Sequence, residues 1–190
     1  MPHGYTGKIL RVDLTSREVS VEEPGEAIYR RYLGGGGLAC YYLLKELAPG
    51  VDPLGPENKL ILMTSVINGM PLSGANRYTA AAKSPLTGTF GESEAGGYWG
   101  PELKTAGFDG IIVEGAADSP VYLFVHDGAC EIRDASEYWG KLADEVQHGL
   151  EEEIGDSRVR VLQTGIAGEN GVRYAALVNQ QRHFHGRSGL

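Results

Sequence analysis

Cysteine is scarce in this chain of 190 residues: Cys40 and Cys130 stand far apart, and no Cys-x-x-Cys occurs. That excludes a disulfide framework, a zinc site or an iron–sulfur cluster carried by this chain alone. Long apolar runs are missing as well, and none approaches the roughly 20 residues that cross a bilayer. Positive charge is short: 17 Lys and Arg stand against 25 Asp and Glu, a net charge of -8. With no Lys/Arg cluster to displace counterions, nucleic-acid binding is excluded. The start, Met1-Pro2-His3-Gly4-Tyr5, has neither a basic n-region nor an apolar h-region. No secretion signal is read there, and the expected compartment is the cytoplasm. Hydrolase signatures are absent too. His3, His126, His148, His183 and His185 lie in unrelated settings, with no Gly-x-Ser-x-Gly elbow, Walker loop or His-Glu-x-x-His.

What the chain does have is an apolar fraction of 42%, enough for one or two small cores. It also has glycine, 28 in all, about twice the ~7% average share. The glycines gather in knots at Gly34 to Gly37, Gly69 to Gly74, Gly88 to Gly91, Gly96-Gly97, Gly165 to Gly171 and Gly186 to Gly189. Tight turns account for about half of these. Bare amides approached by a large, phosphate-bearing ligand account for the rest.

Periodicity supplies the elements. Leu10, Val12 and Leu14 alternate with charged residues and Val19 and Val21 return after a polar turn, which predicts a hairpin. A helix runs from Glu26 to Leu33, and a second spans Leu38 to Leu47 with Cys40, Leu43, Leu44 and Leu47 as its apolar face. Buried strands follow at Leu60 to Met63 and Arg77 to Ala82, then a short helix at Gly97 to Ala106 and a strand at Ile111 to Val113. Val121 to His126 and Ala129 to Arg133 form a second hairpin around Asp127-Gly128, which suits a type I′ turn. Leu142, Val146, Leu150 and Ile154 mark an amphipathic helix, and Val159 to Leu162 and Val172 to Val178 are the last strands.

Each half thus has a hairpin, a helix, a strand, a glycine-rich loop and another strand. Arg77-Tyr78-Thr79-Ala80 is echoed by Arg173-Tyr174-Ala175-Ala176. The reading is one α+β domain over 1–190, duplicated in hairpin-helix-strand-strand units at about 5–90 and 109–190. Two pseudo-twofold-related β-sheets are expected, with no linker between the halves.

The Gly34 knot follows a helix, so a cap and turn are read there, not a dinucleotide loop. Three other segments point to a ligand when taken together. They are Ser73-Gly74-Ala75-Asn76-Arg77-Tyr78, the run Gly91 to Gly100 that opens a helix, and His183 to Gly189. Arginine forks and free amides both hold phosphate. Taken singly, Arg77 reads equally well as a surface ion pair and Gly96-Gly97 as close packing.

Gly4-Tyr5-Thr6-Gly7-Lys8-Ile9-Leu10-Arg11-Val12-Asp13-Leu14 resembles the opening of the tungsten-containing aldehyde:ferredoxin oxidoreductases. So do Tyr32-Leu33-Gly34-Gly35, Pro56 to Leu60, Lys83-Ser84-Pro85-Leu86-Thr87-Gly88, Gly96-Gly97-Tyr98 with Gly100 to Lys104, and Ala167-Gly168-Glu169-Asn170. The match runs through essentially the whole chain in order. The resemblance implies a base of two pseudo-symmetric sheets beneath a tungsten (or molybdenum) ion held by two pterin-dithiolenes. A magnesium ion joins the two pterin phosphates. It also implies a piece of a longer enzyme. The carboxy-terminal domains, which carry a [4Fe–4S] cluster and the aldehyde channel, lie outside this chain.

Position by position, Arg77 corresponds to the family arginine between pterin and cluster. The run Ser93, Glu94, Ala95, Gly96 and Gly97 corresponds to one pterin-phosphate segment, and His183, Phe184, Gly186 and Arg187 belong to its symmetry mate. The carbonyls of Glu94 and Phe184 match the two facing the magnesium. The family often has asparagine at Glu94, arginine at Gly36 and an Arg-x-Ala-Gly-Arg-Gly-Gly-like string at His183 to Gly189. Carbonyl ligation survives a side-chain change, whereas a histidine, mostly neutral near pH 7, weakens the second phosphate contact.

The function so implied is the cofactor-binding domain of an oxidoreductase that converts an aldehyde to an acid and passes electrons to ferredoxin. No catalytic residue is assigned within this chain. The implied partners are its own C-terminal domains, ferredoxin and the aldehyde, with a homo-oligomer as an option and neither membrane nor nucleic acid. Two alternatives stand beside it: a cofactor-free scaffold that kept the fold, and a binder of another phosphorylated ligand.

Overall fold

The computed structural model describes residues 3–189. Met1 and Pro2 of the opening string, and Leu190 at the other end, lie outside the described residues. The centre of the fold is a six-stranded sheet built from β1 (Ile9–Asp13), β2 (Glu18–Glu22), β3 (Lys59–Thr64), β4 (Tyr78–Lys83), β5 (Phe90–Ala95) and β6 (Gly110–Glu114). Its order is β2-β1-β6-β3-β4-β5, antiparallel throughout except for the parallel pair β1–β6.

Both faces of this sheet are covered at its centre, which is why β3 and β6 read as continuous apolar runs. Ile9, Ile61, Met63, Ala81 and Ile112 point to α1 (Glu26–Tyr32) and α2 (Gly35–Glu46), and pack on Tyr29, Leu38, Ala39, Tyr42 and Leu43. Their neighbours Leu10, Val12, Leu62, Ala80 and Ile111 point the other way. There they meet α3 (Trp99–Thr105) through Leu103, and the hairpin of β7 (Val121–His126) and β8 (Ala129–Asp134) through Leu123, Val125, Cys130 and Ile132. Asp127 (φ 44°) and Gly128 (φ 79°) both have positive φ, the type I′ signature expected of that turn.

The remaining elements are α4 (Ala143–Ile154), β9 (Leu162–Gln163), α5 (Gly165–Glu169), β10 (Leu177–Asn179) and β11 (His183–His185). The last three strands form a separate antiparallel sheet in the order β11-β10-β9. The chain is therefore α+β with separate sheets. In the first half a hairpin and two helices precede β3, β4 and β5; in the second a hairpin and α4 precede β9, α5, β10 and β11.

Three local expectations change. The strand expected at Val172 to Val178 is short, because Val172 and Ala175 donate their amides to Ala167 and Val172 in turns before pairing begins. The strand expected at Val159 to Leu162 is reduced to β9. On α2, the buried face is Leu38, Ala39, Tyr42 and Leu43, while Leu44 is 81% exposed. Tyr42 takes the inward position because its hydroxyl reaches Glu22 Oε1 at 2.8 Å, so its polar tip is satisfied.

The opening string is held by charge. Buried Asp109 accepts the amides of Thr6 (2.9 Å) and Gly7 (2.7 Å) and the Tyr29 hydroxyl (3.0 Å). Beside it, buried Lys104 donates to the carbonyls of Gly4 and Ser65.

Candidate functional site

The candidate site forms where the edge strand of the large sheet meets the small sheet. On β5, Ser93 and Ala95 are buried while Glu94 between them is exposed, the alternation a strand imposes. β11 repeats this: His185 is fully buried and Phe184 before it is 54% exposed. Glu94 pairs with Thr79 and Phe184 pairs with Val178. With Glu94 and Phe184 placed in equivalent positions, Ala95 falls on His185 and Gly96 on Gly186. The same register sets Arg77 against Ala176, not against Arg173. Tyr78 is 1% exposed and Tyr174 is 74% exposed, so the four-residue echo occupies two different environments.

The two glycine-bearing segments are joined directly. His185 Nδ1 lies 2.9 Å from the Ser93 carbonyl, so that nitrogen is the donor. Asn179 Nδ2 donates to the Tyr78 hydroxyl (2.8 Å) and to the carbonyls of Gly96 (3.2 Å) and His183 (3.4 Å). Gln180 Oε1 accepts the Tyr98 amide at 2.7 Å. Ser188 reaches the Glu92 carbonyl at 3.5 Å, and Ser84 donates to the Ser188 carbonyl. Two positive-φ residues, Gln180 (49°) and Gln181 (59°), make the turn that brings β11 back to this seam.

Arg77 stands on the exposed rim with its guanidinium 3.9 Å from Glu94 Oε2, a solvent-facing pair of little energetic weight. Arg187 is exposed as well. Phe184 lines an apolar groove of about 340 Å³ with Leu142, Ile166, Tyr174 and Val178. Burial holds the His185 imidazole below its ordinary pKa, partly offset by the Ser93 bond, so it is neutral near pH 7. Its Nε2 is buried with no partner, as is Asn179 Oδ1. Burial pushes the Tyr78 phenol up, against the effect of the Asn179 bond.

The glycines separate into two kinds. A Cβ at Gly96 would make only an ordinary contact, 3.8 Å from His183 Nδ1, and one at Gly186 would lie 4.0 Å from Phe184 Cβ, so packing requires neither glycine. At Gly97 (φ 90°) a Cβ would lie 2.5 Å from Asn179 Oδ1, which makes that glycine a packing requirement. The Tyr98 amide is already used by Gln180, so the start of α3 is less open to an anion than the sequence suggested. Among the described residues, no three His, Cys, Asp or Glu side chains gather as metal ligands. Main-chain oxygens are the donors on offer, and hard cations such as magnesium accept them. What the seam offers a bound group is backbone, with the Arg77 guanidinium at its rim.

The structure brings Ser93 to Gly97 together with His183 to Gly186 and sets Arg77 at the rim of the first segment. Sequence reasoning missed Asn179 and Gln180; it included Tyr78 and His185 in its candidate segments but gave their side chains no role of their own. The available signal was Asn179-Gln180-Gln181, a run of amides directly after the apolar end of a strand.

Residues 9–190 match the family described as "Aldehyde ferredoxin oxidoreductase, N-terminal domain". The tungsten-containing aldehyde ferredoxin oxidoreductase of Pyrococcus abyssi is 49% identical over 98% of this chain and 31% of its own length. The "Aliphatic sulfonate oxidoreductase, WOR-like subunit" of Pyrococcus furiosus is 38% identical over 98% of the chain and 32% of its own length. Among solved structures, the active-site complex BamBC of benzoyl coenzyme A reductase, in complex with 1,5-dienoyl-CoA, superposes with a TM-score of 0.95. It is 37% identical, over 98% of this chain and 28% of that one. The chain thus spans about a third of the length of the relatives it matches. In sequence and in fold, it belongs to the aldehyde ferredoxin oxidoreductase family, as that family's N-terminal domain.

Proposed function

We propose that this chain is the cofactor-binding part of an enzyme that oxidises an aldehyde to a carboxylic acid, with ferredoxin as electron acceptor. The observation that carries the reading is the seam itself. Two segments of like burial pattern, ending at the bare glycines Gly96 and Gly186, are tied to one another by buried side chains. The tungsten of the aldehyde-oxidising relatives supports a tungsten bis-pterin as the group held there. Their identity of 49%, against 38% for the sulfonate-oxidising relative, favours an aldehyde as substrate.

When bound, such a cofactor takes the two electrons released as R–CHO and water become R–COOH and two protons. The residues of this chain bind and orient. The backbone of Glu94 to Gly97 holds one pterin phosphate and that of His183 to Arg187 holds the other. The carbonyls of Glu94 and Phe184 would hold a magnesium ion, which would neutralise phosphate charge. Arg77, a permanently charged planar fork, would bond the edge of the cofactor and would favour negative charge arriving beside it. That packing requires neither Gly96 nor Gly186 to be glycine favours this reading over a scaffold that has lost its ligand.

The test is aldehyde-dependent reduction of ferredoxin by the protein as its gene encodes it, purified without oxygen. The reading expects one acid formed for each pair of electrons delivered. Ferredoxin left oxidised across aliphatic and aromatic aldehydes by a metal-loaded protein would contradict the aldehyde assignment.

A further inference from the structure

We infer that Asn179 is the positioning residue of this cradle, fixing the spacing between its two halves and so governing whether the cofactor seats. The inference rests on the reading of the seam as a cofactor site. Asn179 is fully buried at the end of β10. Its single amide nitrogen serves both halves: the Gly96 carbonyl belongs to one segment and the His183 carbonyl to the other. Tyr78, on the strand beneath, takes the shortest bond at 2.8 Å.

The orientation of the amide is forced. Main-chain carbonyls only accept, so turning the group over would set oxygen against oxygen at both Gly96 and His183. The cost of this orientation falls on Oδ1, which is buried without a partner. An unpaired buried carbonyl is destabilising, so a side chain serving stability alone is poorly placed here. Gly97 completes the fit, because any side chain there would strike Oδ1. Gln180 adds a second clip at Tyr98. Two consecutive amides on the β10–β11 turn therefore grip the first segment, and Asn179 also holds the start of the second.

The experiment measures tungsten and molybdenum per chain, together with the melting temperature, in the anaerobically purified protein as its gene encodes it. Asn179→Asp keeps the shape and removes every donor; Asn179→Ala removes the group. Gln147→Ala is the control, a buried amide that bonds Glu151 and the Val159 carbonyl away from the seam. Both Asn179 variants are expected to lose metal by about ten- to a hundredfold, while Gln147→Ala melts lower but stays loaded. Gln180→Ala, at a partly exposed position, is expected to lose metal several-fold with its melting temperature unchanged. Asn179 variants that melt lower yet keep wild-type metal overturn the inference. So do Asn179 variants that fail to fold alongside a fully loaded Gln180→Ala; a metal-poor Gln180→Ala in that case upholds it. A wild-type protein free of both metals overturns the reading on which the inference rests.

Discussion

Gly7 and Gly34 both have positive φ, 82° and 84°, and differ in what surrounds them. A Cβ at Gly7 would meet nothing within 4 Å; at Gly34 it would lie 2.3 Å from the Thr64 carbonyl, where Gly34 bridges to Ser65. Gly7→Ala should therefore cost about 1 kcal/mol, for the left-handed backbone alone. Gly34→Ala should cost upward of about 2 kcal/mol, because strain and collision add. Urea titration of the two variants separates these values. The sequence displayed the glycine knots plainly but could not say which faced a neighbour, since that depends on strands 30 residues away. Arg77 was legible in the same limited sense. Its rim position beside Glu94 is compatible with contact to a ligand above the seam. Arg77→Lys is expected to fold normally and to hold less tungsten in the full-length protein, or to reduce ferredoxin more slowly. Arg173→Lys should leave both unchanged. Equal behaviour of the two variants would remove Arg77 from the site.

At the scale of elements, the pattern of α2 misled at one position. Counting only aliphatic residues centred the stripe on Leu43 and Leu44, whereas counting Tyr42 as an inward residue rotates it by part of a turn. Leu43→Ala should cost about 2–5 kcal/mol and Leu44→Ala less than about 0.5 kcal/mol in the 190-residue chain, as thermal melts would show. The far end of α2 carries an ion network that alternation alone does not announce. Arg11 on β1 grips Glu46 through two bonds of 2.9 and 2.7 Å, with Glu22 at 3.1 Å and Lys59 within 3.5 Å of Glu46. Burial by itself would raise the Glu46 carboxyl, but the Arg11 bond and the charges of Arg11 and Lys59 outweigh it and hold the group below its ordinary value of 4.5. A lowered folded-state value favours the charged form in the native protein. Its contribution is complete above about pH 4.5 and is lost as pH falls through the folded value. Stability measured against pH should therefore fall on the acid side, and Glu46→Gln should flatten that part of the curve.

For the whole molecule, element order was the most legible feature, because hairpins, glycine loops and helices each leave a local signal. How the halves meet was not, since the seam depends on two amides and a buried histidine whose partners lie 82 to 101 residues away. The 190-residue chain has two closed faces on its main sheet and should unfold in one cooperative transition. With two distant cysteines in place of the usual four thiolates it should hold no [4Fe–4S] cluster, and an iron-to-protein ratio near four would contradict this. The central claim, that the seam between β5 and β11 is built to hold a metallocofactor, is tested most directly by metal analysis. The measurement is tungsten and molybdenum per polypeptide in the full-length protein, purified without oxygen from cells supplied with both oxyanions. The account predicts about one atom of the two metals combined per chain, released together with pterin when the protein is denatured. A folded protein carrying neither metal nor pterin would contradict it.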